Sequence, residues 1–242
     1  MIEPESHRIR SFVRREGRIT PAQARALAEL LPRYGLQVTG GVFDFIRIFG
    51  RDAVRTLEIG CGNGDTLSEL ASLHPDQDFI GIEVHRPGVG RLLNTLARAN
   101  LDNVRVVCAD AVEVLDRCIP DASLDAVLLY FPDPWPKKRH HKRRIVQPEF
   151  VACVAQKLKP GGRFQLATAW VEYAEQMLAT LMASEYWLIY KVTGATLGEH
   201  PLAIGRTILF TFTVLPLVVY FLLLARLVER FGATDWGRMF TF

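Results

Sequence analysis

The chain has 242 residues, 49% of them apolar, which gives room for one sizeable α/β domain with an appendage and excludes a disordered chain. Its 29 basic and 26 acidic side chains leave a net charge of only +3, so affinity for nucleic acid has to come from local clusters. Four cysteines (Cys61, Cys108, Cys118, Cys153) without paired spacing argue against a structural zinc site or a disulfide framework and for reduced thiols in a cytoplasmic protein. Residues 1–30 also lack the apolar core of a signal peptide.

Residues 1–19 read as a basic N-terminal arm. Arg8, Arg10, Arg14, Arg15 and Arg18 surround a few apolar residues, a composition that suits either a phosphate-touching arm or an ordinary mobile terminus. Thr20-Pro21 supplies an N-cap and a first-turn proline for a helix that runs to about Leu31, where Pro32 stops it. Residues 42–49 are apolar enough to cover one edge of the domain. The core pattern begins with a strand over 54–59, a turn Gly60-Cys61-Gly62-Asn63-Gly64, and a helix from Asp65. Strand, glycine turn, helix opens a nucleotide-type βαβ unit, and Gly60 and Gly62 let a ligand approach the backbone where a Cβ would obstruct it. The spacing G-x-G-x-G departs from the dinucleotide fingerprint.

A second strand over 78–84 brings Glu83 to its carboxyl end about 20 residues beyond the turn, where an acid commonly grips ribose hydroxyls. Pro87-Gly88 opens a helix through Leu96, and a third strand over 104–108 leads to Asp110, placed to accept from an adenine amino group or to cap the next helix. The fourth strand, 126–130, runs into Phe131-Pro132-Asp133-Pro134-Trp135-Pro136 and then six Lys/Arg in the eight residues 137–144. Prolines end the ladder and hold the chain extended, delivering a carboxylate (Asp133), an aromatic plate (Trp135) and a phosphate-binding strip to one rim. Trp135 either stacks on a base or covers the sheet edge. His140 and His141 stand without a carboxylate or cysteine at ligand spacing, so phosphate-side donation suits them better than metal binding. A helix over 148–158, a tight turn at 159–162, a fifth strand over 163–168 and a helix over 171–182 complete the alternation. The pattern predicts a doubly wound, mostly parallel α/β sheet of the Rossmann-like type with ligands at the carboxyl ends of its strands.

Neither phosphate-cradling glycine pattern is present, no lysine follows the turn, and Glu58, Asp65, Glu83 and Asp110 would repel a pyrophosphate. They suit a ligand with a cationic end, a ribose and an adenine, which is the chemistry of S-adenosylmethionine.

The segments Arg8-Ile9-Arg10-Ser11-Phe12-Val13-Arg14-Arg15, Leu57-Glu58-Ile59-Gly60, Gly81-Ile82-Glu83-Val84-His85 and Phe131-Pro132-Asp133-Pro134-Trp135 with Lys137 resemble the bacterial tRNA (guanine-N7-)-methyltransferase family. The likeness runs from about Arg8 to Leu181. It implies a class I methyltransferase fold, contact of Glu58, Glu83 and Asp110 with the methyl donor, and Asp133 in the active site. It also implies substrate contact by Lys137, tRNA contact by Arg139, Lys142, Arg143 and Arg144, and a variable-loop guanine as the target.

Two departures qualify that likeness. The family carries an aspartate before the tryptophan at the end of the fifth strand, where this chain has Ala169 before Trp170. The family's closing loop and last strand are not recognisable after about Tyr190. In their place stands an uncharged stretch, 207–225, of transmembrane length. It reads as a membrane helix, as a last buried strand over 208–215 followed by a packed helix, or as a segment foreign to the domain. The expected organisation is therefore an arm (1–19), a methyltransferase domain (20–190) and an apolar tail (191–242). A tRNA-binding relic without turnover, or a membrane-tethered chimera, are the readings that compete with an active enzyme.

Overall fold

The computed structural model describes residues 11–12, 17–184, 187–194 and 208–214, the last two stretches as backbone only. Arg8, Arg10, Arg14 and Arg15 of the arm, and 215–225 of the apolar stretch, lie outside the described residues.

Helix α1 (Pro21–Glu29) starts at Thr20, whose side chain accepts from Gln23 N–H while the Gln23 side chain accepts from Thr20 N–H, a reciprocal capping box. Contrary to the expectation from sequence, Pro32 is not what stops this helix. The helix ends at Glu29, and Pro32 occupies the first turn of α2 (Leu31–Tyr34), a position where a missing N–H costs nothing. A two-residue strand β1 (Gly35–Leu36) and α3 (Phe45–Phe49) follow. The alternating core then runs β2 (Arg55–Ile59), α4 (Asp65–Leu73), β3 (Asp78–Ile82), α5 (Arg86–Ala99), β4 (Val104–Val107), α6 (Ala111–Arg117) and β5 (Leu124–Tyr130). After a 3-10 segment (Lys138–Arg143) come α7 (Pro148–Lys157), β6 (Leu158–Thr168), α8 (Val171–Met182), β7 (Trp187–Gly194) and β8 (Ile208–Val214).

The sheet order is β1-β4-β3-β2-β5-β6-β8-β7. Strands β1 to β6 pair in parallel, β8 is antiparallel to β6, and β7 is antiparallel to β8. Alternate residues of the strands feed two cores. Leu57, Ile59, Ile80 and Leu129 pack with α3, α6, α7 and α8, while Phe79, Val104 and Val106 pack with α1, α4 and α5. Both faces are thus covered, which is why β2 and β3 are buried along their whole length, the polar Arg55, Thr56, Glu58 and Asp78 included.

The tight turn expected at 159–162 is a bulge inside β6. Leu158 pairs with Leu124 and Arg163 with Ala126, and Gly161 takes φ +81° to absorb the excess residues. The apolar stretch begins as strand β8, whose Ile208 to Thr213 pair with Thr168 to Arg163 of β6, so these residues are not part of a membrane-spanning helix. Their β-branched and aromatic content, Ile-Leu-Phe-Thr-Phe-Thr-Val, favours that outcome once an unpaired edge of β6 is available. Among the described residues no helix is long and apolar enough to cross a membrane. Of the readings open for this stretch, the last strand over 208–215 is the one that its described residues take.

Candidate active site

Strands β4, β3, β2 and β5 are neighbours and parallel, so their carboxyl ends share one rim. Glu58 lies in the last turn of pleat of β2, Glu83 directly follows β3, Asp110 follows β4 and Asp133 follows β5. The sequence-derived carboxylates are thereby delivered to the same edge.

The turn after β2 is fastened by its own backbone and by Glu83. Gly60 N–H donates to Ile82 O at 2.8 Å, and Gly62 N–H donates to Glu83 Oε2 at 2.8 Å. Glu83 Oε1 accepts from Val84 and His85 N–H, each at 2.7 Å, which uses three of a carboxylate's roughly four acceptor sites. Gly60 and Gly62 have φ of 72° and 55°, and a Cβ built on either meets nothing within 4 Å, so the backbone faces open space there. Asp110 caps α6, accepting from Val112 N–H at 3.0 Å. The capping role foreseen for it is real, and the carboxyl stays half-buried at the rim.

Glu58 is the least satisfied group of the set. It is 5% exposed, and its Oε2 is buried without a hydrogen-bond partner. Burial first, and the charge of Glu83 second, push its carboxyl up to about 7. A buried anionic oxygen without a donor is costly, and a ligand cation relieves that cost. This orphaned oxygen, beside the open backbone of Gly60 and Gly62, fits the ammonium of S-adenosylmethionine. The Cys61 thiol beside it is raised well above its ordinary range by burial and by Glu58 and Glu83, which makes it an inert packing group.

The second half of the site follows β5. Phe131 N–H donates to Ala167 O at 2.8 Å, extending the β5–β6 ladder by one bond before the prolines end it. Phe131 and Trp135 both adopt left-handed backbone, φ 51° and 43°, a strained state for aromatic residues that the surroundings have to impose. Asp133 lies between them and is exposed. Trp135 is held on several sides: its Nε1 donates to Ser11 O at 3.1 Å, the Arg143 guanidinium lies 4.3 Å over the ring, and His140 meets its edge at 5.9 Å. Ser11 thus brings the described part of the N-terminal arm onto this loop.

Lys137, Lys138, Arg139 and Lys142 are exposed, as a phosphate-binding strip requires, and Arg143 is half-buried over Trp135. Arg144 corrects the sequence expectation. It is 2% exposed and points inward, so it does not belong to the RNA-facing strip. Its Nε donates to Pro134 O at 2.7 Å and its terminal nitrogens reach Gln176 Oε1 at 2.5 Å and His141 Nε2 at 3.0 Å. The guanidinium also lies 4.9 Å from the centre of the Tyr173 ring, whose phenol burial pushes up to about 12. Arg144 therefore ties the strained Asp133 loop to α8. Tyr173 and Gln176, spaced i, i+3 on α8, form this bracket, and the only hint in the sequence was a polar residue on the helix face that turns inward. His140 loses proton affinity through partial desolvation and then through its cationic neighbours Arg139, Arg143, Lys137 and Lys142. Ala169 is exposed at the end of β6 next to Trp170, so the rim lacks a carboxylate at that point. Among the described residues no group of three or more His, Cys, Asp or Glu side chains is placed to hold a metal ion.

Residues 52–200 match a family model described as "Putative methyltransferase". A tRNA (guanine-N(7)-)-methyltransferase of Alkalilimnicola ehrlichii is 60% identical over 177 residues, covering 72% of this chain and 75% of the relative. One from Pseudomonas savastanoi pv. phaseolicola is 57% identical over 185 residues, covering 76% of each. Among solved structures, the 16S rRNA methyltransferase KamB aligns with a TM-score of 0.53 at 15% identity, over 72% of this chain and 95% of that one. An O-methyltransferase of Thermotoga maritima aligns with a TM-score of 0.51 at 15% identity, over 84% and 68%. These two likenesses speak to the fold alone, a class I methyltransferase sheet.

Proposed function

The chain belongs to the tRNA (guanine-N7)-methyltransferase family, and from that premise we infer how its rim carries the reaction: a methyl group passes from S-adenosylmethionine to N7 of a guanine in tRNA. The observation that carries the assignment to this site is the delivery of Glu58, Glu83, Asp110 and Asp133 by four neighbouring parallel strands, with Glu58 buried and unpaired.

Bound S-adenosylmethionine supplies an electrophilic methyl, and the N7–C bond forms in line as the C–S bond breaks, leaving S-adenosylhomocysteine and a cationic guanine ring. Because N7 already carries a lone pair, the protein needs no general base. Its contribution is positioning, worth up to roughly 7–11 kcal/mol in favourable systems. Glu58 holds the donor's ammonium, Glu83 offers its remaining acceptor site to a ribose hydroxyl, and Asp110 receives the adenine amino group. The backbone at Gly60 and Gly62 lets the donor lie close. Asp133 accepts from guanine N1–H and its amino group and stabilises the positive charge that develops on the ring. Lys137 faces the substrate beside it, and Arg139, Lys142 and Arg143 lie along the phosphates. Arg144 positions the Asp133 loop. A variable-loop guanine is the target that the family likeness supports, and a tRNA substrate is in keeping with a cytoplasmic protein.

The relic reading draws on Ala169, which leaves the rim one carboxylate short. Its other ground, the unrecognised closing loop, falls on residues outside the described ones, while β8 pairs with β6 as a last strand. The two are separated by incubating the protein with tRNA and methyl-labelled S-adenosylmethionine, then digesting the RNA. Label recovered as N7-methylguanosine establishes the enzyme, and donor binding with no label in the RNA establishes the relic.

A further inference from the structure

Among the described residues only two aromatic side chains are exposed, Phe131 at 60% and Trp170 at 42%. They stand at the same rim. Tyr130 and Ala167 are register partners on β5 and β6, Phe131 N–H donates to Ala167 O, and Trp170 closes the β6 end as the N-cap of α8. Asp133 is two residues beyond Phe131. The left-handed backbone of Phe131 (φ 51°) is a strained way to turn a phenyl ring out to solvent, where it gains nothing from core packing. Trp135, the aromatic residue singled out from sequence, does not offer the same open faces. A guanidinium covers its ring at 4.3 Å and its Nε1 is committed to Ser11 O.

We propose that Phe131 and Trp170 form the stacking surface that receives the target guanine when it leaves the RNA stack, with Asp133 reading the base edge between them. The proposal rests on the tRNA guanine-N7 reading above. Flat apolar rings next to an acceptor-only carboxylate and a strip of exposed cations are what a base still attached to its backbone needs: a face to stack on, an edge partner and phosphate partners. The faces of Phe131 and Trp170 supply affinity for any base, and Asp133 supplies the preference for guanine.

The test compares wild type with Phe131→Ala, Trp170→Ala, Trp170→Phe and Trp170→Leu in the full chain. Each is assayed for kcat and KM with tRNA, for S-adenosylhomocysteine affinity by calorimetry, and for quenching of 2-aminopurine placed at the target position of the tRNA. Base–aromatic stacking is worth about 1–3 kcal/mol, so each alanine variant should lose about 5- to 150-fold in kcat/KM. Cofactor-product affinity should stay within twofold, and 2-aminopurine should be less quenched than with wild type. Trp170→Phe should recover most of the loss and Trp170→Leu should not. An active wild type with alanine variants within twofold of it overturns the stacking role, as does full recovery by leucine, which would show that bulk suffices. A wild type that transfers no methyl to tRNA overturns the underlying reading instead.

Discussion

Arg144→Met separates a loop bracket from an RNA contact, two roles that a run of cations does not distinguish by sequence. The substitution keeps much of the apolar stem and removes the guanidinium. Pro134 O and Gln176 Oε1 then lose a charged donor at 2.7 and 2.5 Å, and the Tyr173 ring loses a cation at 4.9 Å. A stranded acceptor costs about 1–3 kcal/mol and a partly desolvated cation–π contact about 0.5–2 kcal/mol. Pro134 and Gln176 are half-buried, so water recovers part of the loss, and the expected destabilisation is about 3 kcal/mol. The ion pair with Glu172 adds little, because the nitrogen–oxygen distance is 3.8 Å and the Glu172 side chain is 53% exposed. Against a typical stability of about 5–15 kcal/mol the variant should still fold, and urea unfolding at pH 7 measures the difference. Turnover should fall at saturating tRNA, because the strained loop carrying Asp133 is no longer held. The salt dependence of tRNA binding should keep its slope, since no phosphate contact is lost. Arg144→Lys, which keeps the charge without the fork, should recover only part of the stability. Unchanged stability together with a shallower salt slope would refute the bracket and return Arg144 to the RNA-facing strip.

Other consequences follow from the same geometry. With its carboxyl pushed up from 4.5 to about 7 by burial, Glu58 keeps its proton longer in the folded than in the unfolded chain. The ligand-free protein should therefore lose up to about 3 kcal/mol of stability as pH rises from about 4.5 through 7, a loss that Glu58→Gln abolishes in urea titrations at several pH values. A donor ammonium prefers the ionised carboxylate, so donor affinity should climb between about pH 6 and 8 with proton release on binding, measurable by calorimetry in two buffers of different ionisation heat. Arg139→Ala and Lys142→Ala should each weaken tRNA binding across sequences and lower the salt slope by about one, with kcat unchanged. Ala169→Asp should raise kcat/KM for tRNA by about tenfold, the order of one added charge-assisted hydrogen bond. An unchanged value would show that the rim functions without that carboxylate.

The parts of the molecule that the sequence discloses are those set by local periodicity. Short strand-like runs with Glu58, Glu83, Asp110 and Asp133 at or just beyond their carboxyl ends are enough to put the acids at strand ends, and a parallel sheet puts them at one rim. What local pattern does not contain is which partner a residue finds across the fold. Arg144 looks like its five basic neighbours until Tyr173 and Gln176, about thirty residues later, come to lie beneath it. Trp135 reads as an open plate because Arg143 and Ser11 are not visible as its cover. Residues 208–214 are uncharged, consistent with strand or helix, and the open edge of β6 decides between them. Strand β1 is two residues long and carries no periodicity to detect. Pro32 has the same chemistry whether it ends one helix or begins the next, and the capped end at Glu29 settles which.

One rim serves two reactants, with donor and base held by different carboxylates. Single-turnover methyl transfer by Asp133→Ala, measured alongside its affinity for S-adenosylmethionine, tests that division most directly. The predicted result is donor affinity within twofold of wild type and a methyl-transfer rate lower by about 10²–10³-fold. Loss of donor binding together with transfer, or a transfer rate that does not change, would contradict it.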